Sequence, residues 1–321
     1  MSTSAFMQVF DADQIDAALT MPRLIDALAL AFASDIKVPL RHHHTIARPD
    51  HDATLLLMPA WTGPSAPHSY LGTKLVNVFP GNWARHLPSI YGTYILMDGT
   101  TGAPLCCMDG ARLTAWRTAA ASALAARFLA PQKATRLLMV GAGALAPFLI
   151  RAHASVRPYE RITLWNHRFE RAEQVAAALS AAGLPVQAVS DLETAVRDCD
   201  VVSCATLSHE PLIKGSWLHE GQHIDAVGAY RPDMRETDDA LVKRARIFCD
   251  TKAGAMKEGG DLAQPLASGV IDAAEVEADL FDLVGGRHQG RQAEHEITFF
   301  KSVGTAIEDL AAAITVWQAR G

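Results

Sequence analysis

The chain is short of cysteine, of long apolar runs and of basic charge, and each shortage closes off a class of protein. Its five cysteines, Cys106, Cys107, Cys199, Cys204 and Cys249, are odd in number, scattered and free of any Cys-x-x-Cys pair. That spacing supports neither a disulfide framework nor a thiolate zinc site. No stretch reaches the roughly 18 uninterrupted apolar residues that a membrane-spanning helix needs. The first residues lack a basic segment leading into an apolar run and a small-residue cleavage site, so a soluble, cytoplasmic protein is expected. Against 35 Asp+Glu stand 29 Lys+Arg, a formal net charge of −6. That sign is a poor match for nucleic acid or an anionic membrane. Apolar residues make up 49% of the 321 and charged residues 20%, so a large core is available and disorder is not expected. The length suits about two domains.

What is there changes character part-way along. Leu19, Met21, Leu24, Ile25, Leu28 and Phe32 recur at helical spacing and predict an amphipathic helix. Short apolar runs follow at 53–58, 70–78, 91–97 and 104–108, and the turn signal Asp98-Gly99-Thr100-Thr101-Gly102 predicts a hairpin from the last two. Residues 113–130 are mostly Ala, Leu and Arg, closed by Pro131, which predicts a closely packing helix that bridges two domains. Beyond it the chain reads as strands at 137–140, 162–165, 186–189, 201–205, 224–227 and 247–250, with helices at 146–155 and 171–182 between the first of them. This alternation implies an α/β fold with a doubly wound parallel sheet. A last helix, from about 305 to 319, follows the end of that pattern and is free to pack back on the first domain.

Residues 137–146, Leu-Leu-Met-Val-Gly-Ala-Gly-Ala-Leu-Ala, run from an apolar strand through Gly-x-Gly-x-x-Ala into a helix. In such a loop Gly141 makes the tight turn, Gly143 lets backbone N–H groups approach a pyrophosphate, and the small Ala146 lets helix and strand pack closely. The helix N-terminus adds the positive end of its dipole. The motif therefore predicts a Rossmann dinucleotide site. NAD-binding relatives of this motif usually carry Asp or Glu at the end of the second strand, for the ribose 2′-hydroxyl. Here that place holds Asn166-His167-Arg168. With no carboxylate to repel a 2′-phosphate and Arg168 able to pair with one, NADP is expected in preference to NAD.

Four further segments carry a resemblance. They are Gly72-Thr73-Lys74-Leu75-Val76-Asn77, Leu113-Thr114-Ala115-Trp116-Arg117-Thr118-Ala119-Ala120, Gly259-Gly260-Asp261-Leu262 and Phe300-Lys301-Ser302-Val303-Gly304-Thr305-Ala306-Ile307-Glu308-Asp309. In this order, over about residues 38–312, the chain resembles the ornithine cyclodeaminase/mu-crystallin family. The resemblance implies a homodimer in which residues 1–117, completed by the C-terminal helix 305–321, bind substrate and form the dimer interface. Residues 118–304 then form the Rossmann domain. It also implies one of three activities: reduction of cyclic ketimines such as pyrroline-2-carboxylate, ornithine cyclodeamination or alanine dehydrogenation. A non-enzymatic ligand carrier is a further alternative.

Substrates of this kind carry an α-carboxylate beside the carbon that exchanges hydride, so cations are needed to anchor it. The resemblance places Lys74 and Arg117 on the substrate-binding Lys and Arg, Arg41 on a second arginine, and Ser89 near substrate and nicotinamide. Lys74, crowded by other cations, is also the candidate proton donor. By the same likeness the cofactor contacts are Thr118, Gly141, Ala142, Gly143, Ala144, Leu145, Asn166, His167, Arg168, Thr206, Val227, Ser302, Val303 and Gly304. One departure bears on the reaction. Cyclodeaminases of the family carry an aspartate two residues before a proline in the segment after the strand 224–227; here Tyr230 precedes Arg231-Pro232 and takes that place. Tyr230 is therefore the second candidate catalytic residue, and the pattern Arg-Pro-Asp-x-Arg-Glu looks more like that of mu-crystallin and the ketimine reductases, which favours a reductase, NADPH-preferring by the residues 166–168, over a lyase.

Other features are read plainly. Adjacent His42, His43 and His44 on an extended chain point in alternating directions and do not converge on one metal ion, and His42 or His44 is more readily a lining of the substrate pocket. Cys106-Cys107 are expected in the core, Asp233 as a cap for a helix starting near Met234 or a partner of Arg235, and the acidic residues 275–282 as a solvated helix face. No local motif supports a Ser-His-Asp or Cys-His nucleophile, and no metal is expected.

Overall fold

The computed structural model describes residues 7–320, which divide into two compact units, one running to Arg117 and resuming at Thr305, the other Thr118–Gly304. In the first, seven strands form one sheet among the described residues: β1 (Gln8–Phe10), β2 (Ile36–Lys37), β3 (His42–Ile46), β4 (Ala53–Thr62), β5 (Tyr70–Val78), β6 (Ile90–Asp98) and β7 (Pro104–Asp109). Their order is β1-β7-β6-β5-β4-β2, with β3 also paired to β4. Only the β1–β7 pairing is parallel. The β6–β7 hairpin closes over the turn that the Asp-Gly signal predicts, where Asp98 Oδ1 accepts from the N–H groups of Thr100 and Thr101.

Helices α1 (Ala12–Ala18) and α2 (Met21–Phe32) replace the single helix expected from Leu19 onward. The break falls at Leu19-Thr20 because Pro22, lacking an N–H, fits only the first turn of a new helix. The apolar stripe of α2, from Met21 to Phe32, is buried, and the C-terminal helix Ala306–Ala319 packs on α2 and on β4, β5 and β6. Helix α3 (Gly110–Leu129) starts earlier than its Ala/Leu composition suggests, since Asp109 Oδ1 accepts the Arg112 N–H and caps it.

The second unit continues as β8 (Arg136–Val140), α4 (Ala146–Ala154), β9 (Arg161–Trp165), α5 (Phe169–Ala181), β10 (Val186–Val189), α6 (Leu192–Arg197), β11 (Val201–Cys204), β12 (His223–Ala226), α7 (Asp239–Arg244), β13 (Arg246–Cys249), α8 (Lys252–Glu258), α9 (Gly260–Ala267), β14 (Val276–Asp279), α10 (Leu280–Val284) and β15 (Thr298–Lys301). The chain ends in α11 (Ala306–Ala319), which belongs to the first unit. The eight strands of the second unit are all parallel, in the order β10-β9-β8-β11-β12-β15-β13-β14. Helices on both faces bury the central strands, and Leu138, Val140, Val202, Ile224 and Phe299 lie in one core. The order reverses between β8 and β11, and ligands of such sheets bind beyond the carboxyl ends of the strands at that switch point.

Two expectations are corrected here. The acidic stretch 275–282 is not a solvated helix face: Val276 and Ala278 are buried in β14, and Asp279 turns the chain by capping α10. Alternation of a buried apolar with an acidic residue is the period of a strand, hidden by its polar half. No helix starts near Met234 either. Asp233 pairs with Arg231 at 2.6 Å, while Arg235 reaches Asp239 at 2.5 Å.

Candidate active site

In the first unit the strand alternation of β5 turns Gly72 and Lys74 to its buried face. Gly72 is required there, because a Cβ would stand 1.9 Å from the hydroxyl of the fully buried Tyr94. Lys74 lies directly opposite Tyr94 in the β5–β6 ladder. Its Nζ is 2.8 Å from Asp309 Oδ1 and 3.2 Å from Thr114 Oγ1. Arg117, one turn along α3 from Thr114, donates from Nε to Asp309 Oδ1 at 3.1 Å and from Nη1 to Glu308 Oε2 at 2.7 Å. The four charged side chains are at most 6% exposed, so each depends on the others for its counter-charge.

The Lys74 pKa comes down to about 8, chiefly through burial and next through Arg117, with a smaller push from Arg41, while Asp309 holds it from falling further. An ammonium of that kind keeps its proton at neutral pH and releases it readily. The structure thus gathers Lys74 and Arg117 around Asp309, with the half-buried Arg41 near enough to act on the lysine. Ser89 is half-buried just before β6, its carbonyl accepting the Phe79 N–H at 2.7 Å. His42 and His44 share one side of β3, with ring centroids 6.4 Å apart. Cys106 is buried and Cys107 half-buried.

In the second unit Gly141 adopts φ 104°, and a Cβ there would meet the Ala205 carbonyl at 2.6 Å. Around Gly143, by contrast, a Cβ would meet nothing within 4 Å. A tight turn followed by open space at the N-terminus of α4 fits a pyrophosphate. The cleft alongside, about 480 Å³, is lined by Gly141, Gly143, Asn166, His167, Thr206 and Leu207 among others. Asn166 Oδ1 accepts the Ala142 N–H at 3.2 Å, so the end of β9 braces the loop. Ala144 is exposed and Leu145 is the residue before α4; His167 and Arg168 are exposed, with Arg168 immediately before α5. Thr118, Val227, Ser302, Val303 and Gly304 are buried, and Tyr230 is half-buried with its N–H on the Gly228 carbonyl.

Four buried acids escape a reading that looks for cations and glycines. Glu308 and Asp309 hold the two site cations. Glu236 accepts from Thr206, Gly228 and Ala229. Asp250 Oδ2 accepts from Ser302 Oγ and from the N–H groups of Val303 and Gly304, at 2.7–3.0 Å. The signal that would find Glu308 and Asp309 is an acidic pair inside Ala306–Ala313, an otherwise apolar run whose every residue is buried. Charges there need partners.

Residues 7–320 match the model of the ornithine cyclodeaminase/mu-crystallin family. The chain belongs to that family. Among curated relatives, the Delta(1)-pyrroline-2-carboxylate reductase of Colwellia psychrerythraea is 34% identical over 97% of this chain and 98% of its own. Among solved structures, the Delta(1)-pyrroline-2-carboxylate reductase of Thermococcus litoralis in complex with NADH and L-proline superposes with a TM-score of 0.90, at 33% identity, covering 98% of this chain and 97% of that one. An archaeal alanine dehydrogenase dimer with bound NAD gives a TM-score of 0.88 at 29% identity, covering 98% and 95%. The α/β fold and the Rossmann-like unit are shared with these family members. Among the described residues, no helix is long and apolar enough to cross a membrane.

Proposed function

We propose that this protein is an NAD(P)H-dependent reductase of small cyclic imino acids, such as pyrroline-2-carboxylate, that prefers NADPH. The observation that carries the reading is the buried cluster of Lys74, Arg117 and Asp309. Arg117 and Arg41 anchor the substrate carboxylate, with Lys74 contributing charge to the same end. Asp309 and Thr114 engage two of the three N–H bonds of Lys74, and the third is directed to the substrate nitrogen. The lysine transfers a proton there, which its pKa of about 8 permits near neutrality. A reduced nicotinamide nucleotide, when bound, supplies the hydride for the C=N carbon. Gly141 to Leu145 hold its pyrophosphate, Asn166 to Arg168 its adenosine end and, with Arg168, a 2′-phosphate. Thr118, Thr206, Val227 and Ser302 to Gly304 line the rest, and Ser89 lies at the substrate.

Tyr230 occupies the place of the aspartate that cyclodeaminases use, so the chain lacks the base that would activate a second amine of ornithine. A homodimer is part of the same reading: of the exposed large apolar residues described, Phe169 and Leu207 belong to the second unit and the rest, Leu40, Trp61, Trp83, Leu87, Ile90 and Tyr91 among them, to the first. The decisive assay follows absorbance of NADPH with pyrroline-2-carboxylate, beside NADH, beside NAD with L-alanine and beside NAD with L-ornithine. Oxidation of NADPH by the imine is the expected result. Ammonia and proline from ornithine would identify a cyclodeaminase instead, and NADH from L-alanine an alanine dehydrogenase.

A further inference from the structure

Strands β11 and β12 are neighbours, with Cys204 opposite Ala226 as the last pair of their ladder. Two residues beyond these stand Thr206 and Gly228, where the sheet no longer holds the chains together. They are nevertheless in close contact: a Cβ on Gly228 would lie 2.0 Å from the Thr206 carbonyl oxygen and 2.2 Å from its nitrogen. The bond across this gap is a side chain. Glu236 Oε1 accepts from Thr206 N at 2.7 Å and Thr206 Oγ1 at 2.8 Å, and Oε2 from Gly228 N at 2.8 Å and Ala229 N at 3.2 Å.

Glu236 is itself fixed and fully buried. Its N–H donates to Asp261 Oδ1 at 2.8 Å, and its carbonyl accepts from Leu212 and Ile213 at 2.9 Å each. The other oxygen of Asp261 faces Lys301 Nζ at 3.0 Å, with both residues fully buried, and Lys301 ends the next strand, β15. Burial raises the Glu236 pKa, and Lys301 is the largest influence against that rise. A carboxylate that accepts four donors in a dry site keeps its charge through them. These loops follow the strands that lie past the switch point from the pyrophosphate turn. Asn166 to Arg168 thus serve the adenosine end of a dinucleotide, Thr206, which lines the same cleft as Asn166, stands between, and Gly228 and Ala229 lie on the nicotinamide side.

We propose that Glu236 is a positioning residue for the nicotinamide half of the cofactor: it extends the β11–β12 ladder past the strands and presets Thr206 and Gly228 before the dinucleotide arrives. This rests on the cofactor reading above, and the test separates the two. The measurement is binding of NADPH, or NADH if that is what the wild type takes, beside binding of the matching adenosine fragment, 2′,5′-ADP or ADP. Failure of the wild-type protein to bind either class would refute the cofactor reading itself. With wild-type binding in hand, Glu236→Gln turns an NH₂ toward one pair of N–H donors. Whole-cofactor affinity should fall about tenfold or more, with the adenosine fragment held as before. Equal losses for both ligands, or no loss in a folded variant, would overturn the role. Hydrogen exchange of the wild type provides an independent reading if the variant does not fold. The amides of Thr206, Gly228 and Ala229 should already exchange slowly without cofactor, and fast exchange that slows only on binding would refute the presetting.

Discussion

The two units both bury pairs of carboxylates, but against different partners. In the first, Glu308 and Asp309 face Arg117 and Lys74, so acid and base neutralise one another where water is excluded. In the second, Glu236 and Asp250 face mostly backbone N–H groups of loops that follow parallel strands, and Asp261 does both, with the N–H groups of Glu236 and Thr237 on one oxygen and Lys301 at the other. A carboxylate on a cation sets charge and protonation; a carboxylate on N–H groups sets shape. Substitutions that keep the shape and remove the charge should therefore strike the first unit in its pH behaviour and the second in cofactor binding.

The largest effect is expected at Lys74. Lys74→Met keeps the length of the side chain and removes the proton, so kcat for imine reduction should fall by about 10²–10⁴-fold, the usual contribution of a positioned general acid. Cofactor affinity, measured by fluorescence of the bound reduced nucleotide, should not change. On the proposal that the protonated lysine is the active form, wild-type kcat should decline as pH rises through about 8. A flat profile from pH 6 to 10 would remove Lys74 from the chemistry.

Next comes Asp309→Asn, which breaks the comparison from the other side. It leaves Lys74 and Arg117 buried with one counter-charge fewer, a loss of about 3–5 kcal/mol in stability, readable as a lower midpoint in urea. In the folded fraction the lysine loses the anion that holds its pKa up, so the decline of activity moves to lower pH. An unshifted decline would mean that Asp309 serves only packing.

Asp250→Asn probes the loop-holding kind of carboxylate. One amide NH₂ must then face either Thr251 N–H or the three donors from Ser302, Val303 and Gly304. The cost is about 1.5–3 kcal/mol, taken chiefly from cofactor affinity, with the pH profile of kcat left in place. A shifted profile in this variant would erase the distinction between the two units.

Much of this was legible in the residues, for reasons that differ by element. The phosphate loop is local: strand, Gly-x-Gly-x-x-Ala and helix lie in one continuous stretch, and Gly141 has the positive φ that such a turn demands. Strands with uninterrupted apolar runs, such as Leu137 to Val140, are legible because both faces are buried. Strand β15 is not, since its apolar content shrinks to Phe299-Phe300 between Thr298 and a buried Lys301 whose partner, Asp261, is far off in sequence. The cations of the site read as substrate-binding residues, whereas their acids, though they end the motif 300–309, are given no role. Glu308 and Asp309 meet Arg117 and Lys74 only through folding, across separations of 191 and 235 residues. The same holds for Asp233, whose helix-cap pattern was outcompeted by Arg231 two residues away.

The smallest effect is expected at Arg168, proposed above to meet a 2′-phosphate. It stands exposed at the start of α5, with Nε 3.3 Å from His167 Nε2, beside the Asn166 that braces the phosphate loop. In water a single guanidinium–phosphate contact is partly screened, so Arg168→Ala should weaken NADPH by about tenfold or less. NADH has no 2′-phosphate and should bind as before, and the gap between the two nucleotides should narrow as salt is raised. An Arg168→Ala protein that loses NADH and NADPH alike would show that the arginine shapes the β9–α5 turn and does not read the phosphate. Nucleotide preference would then rest on the absence of a carboxylate at Asn166, which Asn166→Asp would test by turning preference toward NADH.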